Sequence, residues 1–176
     1  MFSRLAAWLC LPCCLFFVSS CARKTGTIAA GPEFEKDLQS TLIQAKPGAV
    51  IELPEGTFDM TGTLSLTVAN VTIRNGFITG GVTNNGTIFG GSGFGYGIFQ
   101  FGGQPAVNLH VSNVSVSGCL YVGIHLGGSN TVVESCIVNT AGTYGIYAQS
   151  VSGSTAMNCG SYGIYATDRA NNCSGA

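Results

Sequence analysis

Charge is what this sequence has least of. Only 9% of its 176 residues are Asp, Glu, Lys or Arg, and seven cations against eight acids leave a formal net charge of −1. Beyond Thr61 the charged side chains are Arg74, Glu134, Asp168 and Arg169. Binding a phosphate backbone takes a basic face that displaces counterions, and so few cations cannot assemble one, so nucleic acid is not expected as a partner. Charged catalysis lacks its materials too. Paired carboxylates that exchange a proton, or oxygen ligands gathered around a cation, need convergent acids. Leucine and helical periodicity are scarce in the second half. Of the cysteines, Cys119, Cys136, Cys159 and Cys173 sit at spacings unlike any zinc-ligand pair. No Ser-His-Asp arrangement or phosphate loop stands out, and the glycine-rich stretch Gly90, Gly91, Gly93, Gly95 has no helix after it to hold an anion. No metal or cofactor is expected.

Glycine is abundant, with 26 residues in a chain that is 45% hydrophobic, too apolar to stay disordered and long enough to bury one core. The phrase YGIYAQS at residues 144–150 returns as YGIYATD at 162–168. Val122-Gly123-Ile124-His125-Leu126 is a third copy, and Tyr96-Gly97-Ile98-Phe99 a looser fourth. Val111, Val133 and Val151 precede Gly123, Gly145 and Gly163 by the same twelve residues. A unit V-x-x-[VCS]-x-[VA] results, with Val114, Cys136 and Ser154 in its fourth place and Val116, Val138 and Ala156 in its sixth. Two markers that keep register over steps of 22 and 18 residues define a solenoid repeat. The short V-x-V and I-x-A alternations, separated by Gly, Asn and Ser, are strands and turns. Coils of such strands stack in parallel at about 4.8 Å. The four cysteines fall in apolar runs, where they read as small stacked core residues, although an exported chain would permit a disulfide.

These repeats resemble the right-handed parallel β-helix of the pectin lyase-like superfamily. Ala45-Lys46-Pro47-Gly48 followed by Val50-Ile51-Glu52-Leu53-Pro54-Glu55-Gly56-Thr57-Phe58 is similar to the entry segment of bacterial β-helix repeat proteins, and Val71-Thr72-Ile73-Arg74-Asn75 to their next strand and turn. The expected fold is all-β, a right-handed parallel β-helix with a short N-terminal capping α-helix. Pro32 can open that helix, Glu33, Glu35 and Asp37 suit its positive end, and Pro47 and Gly48 stop it. Phe34, Leu38, Leu42 and Ala45 share one face, suited to covering the first coil.

Residues 1–20 have the layout of an export signal: Arg4, an apolar stretch over 5–18, then small residues. An uncleaved membrane anchor is the alternative. Val18-Ser19-Ser20-Cys21 resembles a bacterial lipobox, which implies that Cys21 is acylated and starts the mature chain. The expected organisation is a signal peptide at 1–20, a linker at 21–31 and a β-helix domain at 32–176, cut short at its C-terminal coil, whose open edge would allow end-to-end association. The implied location is the cell envelope, at the outer membrane or cell surface, with the lipid as the membrane link.

Alternation sends Ile124, Ile146 and Ile164 inward together with Leu126, Ala148 and Ala166, leaving His125, Tyr147, Tyr165 and Phe99 to point outward as a stripe. Such a stripe suits polysaccharide through CH–π contact, or simply steadies neighbouring strands. Phe99 is the weakest member, because Gln100 stands where an apolar residue is expected. The superfamily's lyases use Ca²⁺ and a basic residue, and its hydrolases use clustered aspartates. Here Glu134 and Asp168 occupy different registers, and His110 and His125 fall in different strands. The expected function is a lipid-anchored scaffold that binds polysaccharide without catalysis. The alternative is a polysaccharide lyase or glycoside hydrolase whose site lies in further coils or in the loop 80–95. Asn70, Asn85, Asn113 and Asn172 each begin an N-x-S/T triplet.

Overall fold

The computed structural model describes residues 25–27, 33–84, 86, 89–92, 94–100 and 107–176. The signal-like segment 1–20 and Cys21 lie outside the described residues. The chain winds into a parallel β-solenoid of about five turns with one short helix.

Each turn contributes a strand to each of three faces. The first face stacks Val50–Glu52, Thr72–Arg74, His110–Ser112 and Val132–Glu134, and continues through the ends of the long strands Tyr144–Ser152 and Tyr162–Asn171. The second stacks Thr57–Asp59, Phe77–Thr79, Ser115–Cys119, Ile137–Ala141, Thr155–Cys159 and Ser174–Gly175. The third stacks Leu64–Leu66, Tyr96–Gln100, Val122–His125 and the beginnings of the two long strands. A short strand at Thr25–Thr27, within the expected linker, adds itself to the open edge at Val50–Glu52. Backbone pairing at an open edge requires no apolar side chain, so composition alone does not announce it.

The register places like residues over like. Ile51, Ile73, Val111, Val133 and Val151 form one inward column, and Leu64, Ile98, Ile124, Ile146 and Ile164 form another. Ile124 and Ile146 are fully buried. Each such side chain stabilises the stack by about 1.5–3 kcal/mol.

From the second coil on, the residue just after the first-face strand is left-handed. These residues are Asn75, Asn113, Ser135, Gly153 and Asn172, with φ of 62°, 52°, 52°, 56° and 51°. Asparagine tolerates that conformation better than other side-chain-bearing residues. Its amide also ties coils together: Asn113 Nδ2 donates to Asn75 Oδ1 at 2.9 Å, and Asn75 Nδ2 to Glu52 Oε1 at 2.7 Å. A second ladder closes the other end of the first face, where Asn108 Nδ2 donates to Asn70 Oδ1 and Asn130 Nδ2 to Asn108 Oδ1, both at 2.6 Å. The triplets at Asn70 and Asn113 are thus a corner asparagine, a buried valine and an outward Thr or Ser.

The hydroxyls of the buried Thr131 and Ser154 are paired, as burial requires. Thr131 Oγ1 donates to the Leu126 carbonyl at 3.1 Å and accepts from Gln149 N–H at 2.9 Å. Ser154 Oγ donates to the Ser152 carbonyl at 2.9 Å and accepts from Cys136 N–H at 3.0 Å. That explains a serine among the valines and cysteines of the repeat.

The helix spans Phe34–Gln44 and buries Phe34, Leu38 and Leu42 in the core of the first coil. Phe34 stacks on Phe58 with ring centroids 3.9 Å apart. Gln39 exchanges two hydrogen bonds with the backbone of Ser65, and Glu35 Oε2 accepts one from Thr61 N–H at 2.7 Å. The glycine-rich excursion leaves the second coil as an antiparallel hairpin, Gly81–Asn84 with Phe89–Ser92. Phe89 lies over Gly142 and Gly160, where added Cβ atoms would come within 3.5 and 3.1 Å of it. The excursion therefore packs along the later coils at a corner kept bare by glycine.

Candidate functional site: a tyrosine face

The outward stripe expected from the sequence is assembled by register. Phe99 pairs with His125, His125 with Tyr147, and Tyr147 with Tyr165. Ring centroids step by 5.1, 4.6 and 5.2 Å along this column, and the last two steps are nearly parallel, at 12° and 5°. Ser65 continues the column beneath Phe99. The Gln100 that unsettled Phe99's place is accounted for, since its Oε1 accepts from Gly128 N–H at 2.5 Å.

A second group of rings flanks the first. Tyr144 stacks on Tyr162 at 5.8 Å and 13°. Tyr96 lies 4.4 Å from Phe99 and 5.5 Å from Tyr121. All six tyrosines of the chain therefore meet on one face, with Phe99 and His125 among them. The signal for Tyr96, Tyr144 and Tyr162 was their place at the start of a YGI phrase, and Tyr121 carried none.

The glycine of that phrase makes the arrangement possible. Gly97, Gly123, Gly145 and Gly163 are buried beside the tyrosines. A Cβ on Gly145 would sit 2.5 Å from both the Gly163 carbonyl oxygen and the Ala156 Cβ. The backbone here packs directly on the second face.

Stacking decides which surfaces the rings offer. His125 is covered by Phe99 on one side and Tyr147 on the other, and Tyr147 by His125 and Tyr165. The inner rings present edges to solvent. Tyr121, Tyr162 and Tyr165 are the open ones, 47%, 56% and 42% exposed.

His125 is the only titratable group of the inner stack that changes charge near neutral pH. Burial among the rings holds its basicity below the ordinary value of 6.5, and its Nδ1 is enclosed without a hydrogen-bond partner. An unfolded chain therefore takes up a proton more readily than the folded one. Stability is expected to be full above pH 6.5 and to decline as the pH falls through the window below it. Urea melts of wild type and His125→Phe across that window should show the acid-side slope flattened in the variant. An identical slope would place the acid sensitivity on another group.

Glu52, Arg74, His110 and Glu134 lie on the first face. Arg74 Nη2 donates to Glu52 Oε2 at 2.9 Å and holds that carboxyl below its usual range. His110 Nε2 and Glu134 Oε2 are 3.3 Å apart, outside hydrogen-bond geometry. Their strands are paired, with Glu134 opposite Ser112, so the contact is diagonal. Asp168 and Arg169 lie beside the bulge that turns the last long strand from the third face to the first, 3.9 Å apart and exposed. Glu134 and Asp168 thus keep different registers, and His110 and His125 stand on different faces. Cys136 is stacked between Val114 and Ser154, while Cys119 and Cys159 flank Ala141. The four cysteines are free thiols, and burial pushes Cys119 and Cys159 upward and Cys136 up to about 11. Among the described residues no group of three or more His, Cys, Asp or Glu is placed to hold a metal ion, and no helix is long and apolar enough to cross a membrane.

The chain matches no family model, no curated protein and no solved structure.

Proposed function

We propose that the chain is an exported, lipid-anchored scaffold, akin to the pectin lyase-like β-helices, that holds polysaccharide on its tyrosine face and does not cleave it. The observation that carries this reading is the gathering of all six tyrosines on one face of a rigid stack. Phenol hydroxyls and ring edges offer a sugar hydrogen bonds and apolar contact together, and the open rings of Tyr121, Tyr162 and Tyr165 add stacking. Glu52 and the His110–Glu134 contact lie on another face, away from a glycan held there. Repeated weak contacts along the axis add up through multivalency. Lipidation at Cys21 would keep the solenoid at the membrane surface.

Affinity electrophoresis on a panel of neutral and uronate-rich polysaccharides tests the reading, with uronate-product absorbance and reducing-sugar release recorded alongside. At least one polysaccharide is expected to retard the wild type. The Tyr162→Ala/Tyr165→Ala variant should bind about tenfold more weakly, roughly 1.4 kcal/mol. Equal retardation of the variant would remove the tyrosine face from the proposal, and product release by the wild type would replace holding with catalysis.

A further inference from the structure

Phenols held ring over ring can react with one another when oxidised by one electron each. Tyr147 and Tyr165 are in register on the fourth and fifth coils, with centroids 5.2 Å apart and planes within 5°. Tyr165 is 42% exposed, so a small oxidant reaches it and its ring has room to tilt onto its neighbour. Two of the thiols that compete for the oxidant are withdrawn, while Cys159 and Cys173 are part-buried and Met157 is 45% exposed. The described residues contain no tryptophan, and Cys119 and Cys136 are buried, in surroundings that keep them as thiols and not reactive thiolates. The surrounding phenols Tyr144 and Tyr162 lie within 6.2 Å of the pair and can hand a radical on to it.

We infer that Tyr147 and Tyr165 form a dityrosine site, at which a peroxidase-type oxidant supplied with hydrogen peroxide staples the fifth coil to the fourth. Each phenol loses one electron and the proton of its hydroxyl, and the two phenoxyl radicals couple through ring carbons ortho to oxygen. The two ring hydrogens at the new bond then shift to oxygen, restoring both phenols. The electrons and protons convert one peroxide into two waters. The bond closes a loop of 18 residues across a strand ladder that already holds the rings in place. Such a staple removes conformational freedom from the unfolded chain, the same physics by which a disulfide stabilises. This chemistry is independent of any glycan and stands or falls separately from the binding reading.

Met157 provides the assay. Cyanogen bromide cleaves after it and puts Tyr147 on the fragment 61–157 and Tyr165 on 158–176. The folded chain, dilute and with limiting peroxide and peroxidase, is oxidised, any Met157 sulfoxide is reduced, and the cleaved product is weighed by mass spectrometry. The expected result is the two fragments joined and lighter by two hydrogens, with dityrosine emission. The join should be lost in Tyr165→Phe and in the urea-unfolded chain, and kept in Tyr162→Phe. Separate fragments from the folded wild type would overturn the inference. So would joining that survives Tyr165→Phe, occurs equally in urea, or is found only between different chains.

Discussion

Gly145→Val is expected to destabilise the protein by about 3 kcal/mol or more, at or beyond the upper end of what overpacking a core usually costs. The reason is the absence of any direction in which the new side chain can move. Its Cβ would meet the Gly163 carbonyl oxygen and the Ala156 Cβ at 2.5 Å and the Cys159 sulfur at 2.9 Å. All three belong to the next coil, and one is backbone already committed to the strand pairing of Tyr144–Ser152 with Tyr162–Asn171. Relief would require the fourth and fifth coils to separate. In a linear stack such damage spreads to nearest neighbours first, so amide exchange should rise in the last two coils before the first. Gly90→Ala is the control, because a Cβ there meets nothing within 4 Å, and its stability should stay within about 0.5 kcal/mol of wild type. Urea denaturation of the three proteins measures the difference. Equal midpoints would show that the glycine column is not a packing requirement.

The second large effect is expected at Ile146→Ala, about 3–4 kcal/mol, within the range for truncating a buried isoleucine. Ile146 is fully enclosed between Ile124 and Ile164, and the cavity left behind would be walled by strands whose spacing is fixed by hydrogen bonds. The same coil offers its own comparison. Ile137 is 48% exposed on the outside of the second face, and Ile137→Ala should cost well under 1 kcal/mol. Identical chemistry at two sites of one coil then separates inward from outward. A comparable loss at both positions would contradict the assigned alternation.

Much of this architecture is legible in the residues because a parallel solenoid converts sequence spacing directly into vertical stacking. Once the YGIY phrases and the preceding valines are aligned, the Ile124, Ile146 and Ile164 column and the His125, Tyr147 and Tyr165 column follow from alternation alone. Other features escape such an alignment. The asparagine ladders depend on a backbone conformation, φ near 55° at Asn108 and Asn130, that no hydropathy pattern encodes, although Asn70, Asn108 and Asn130 each stand three residues before an inward Ile or Val. Tyr121 meets Tyr96 because it stands one residue before Val122, the partner of Tyr96, a place that the repeat phrase does not cover. The His110–Glu134 contact is diagonal between coils, and the strand Thr25–Thr27 joins the sheet through backbone pairing, which no repeat marks.

Selective labelling of the isoleucine δ-methyl groups and measurement of methyl–methyl nuclear Overhauser contacts in solution tests the winding most directly. The expected result is an unbroken chain of contacts from Ile98 to Ile124, Ile124 to Ile146 and Ile146 to Ile164, with Ile137 outside it. Contacts that skip a member, or that bring Ile137 into the series, would contradict the stacked coils and remove the tyrosine face with them.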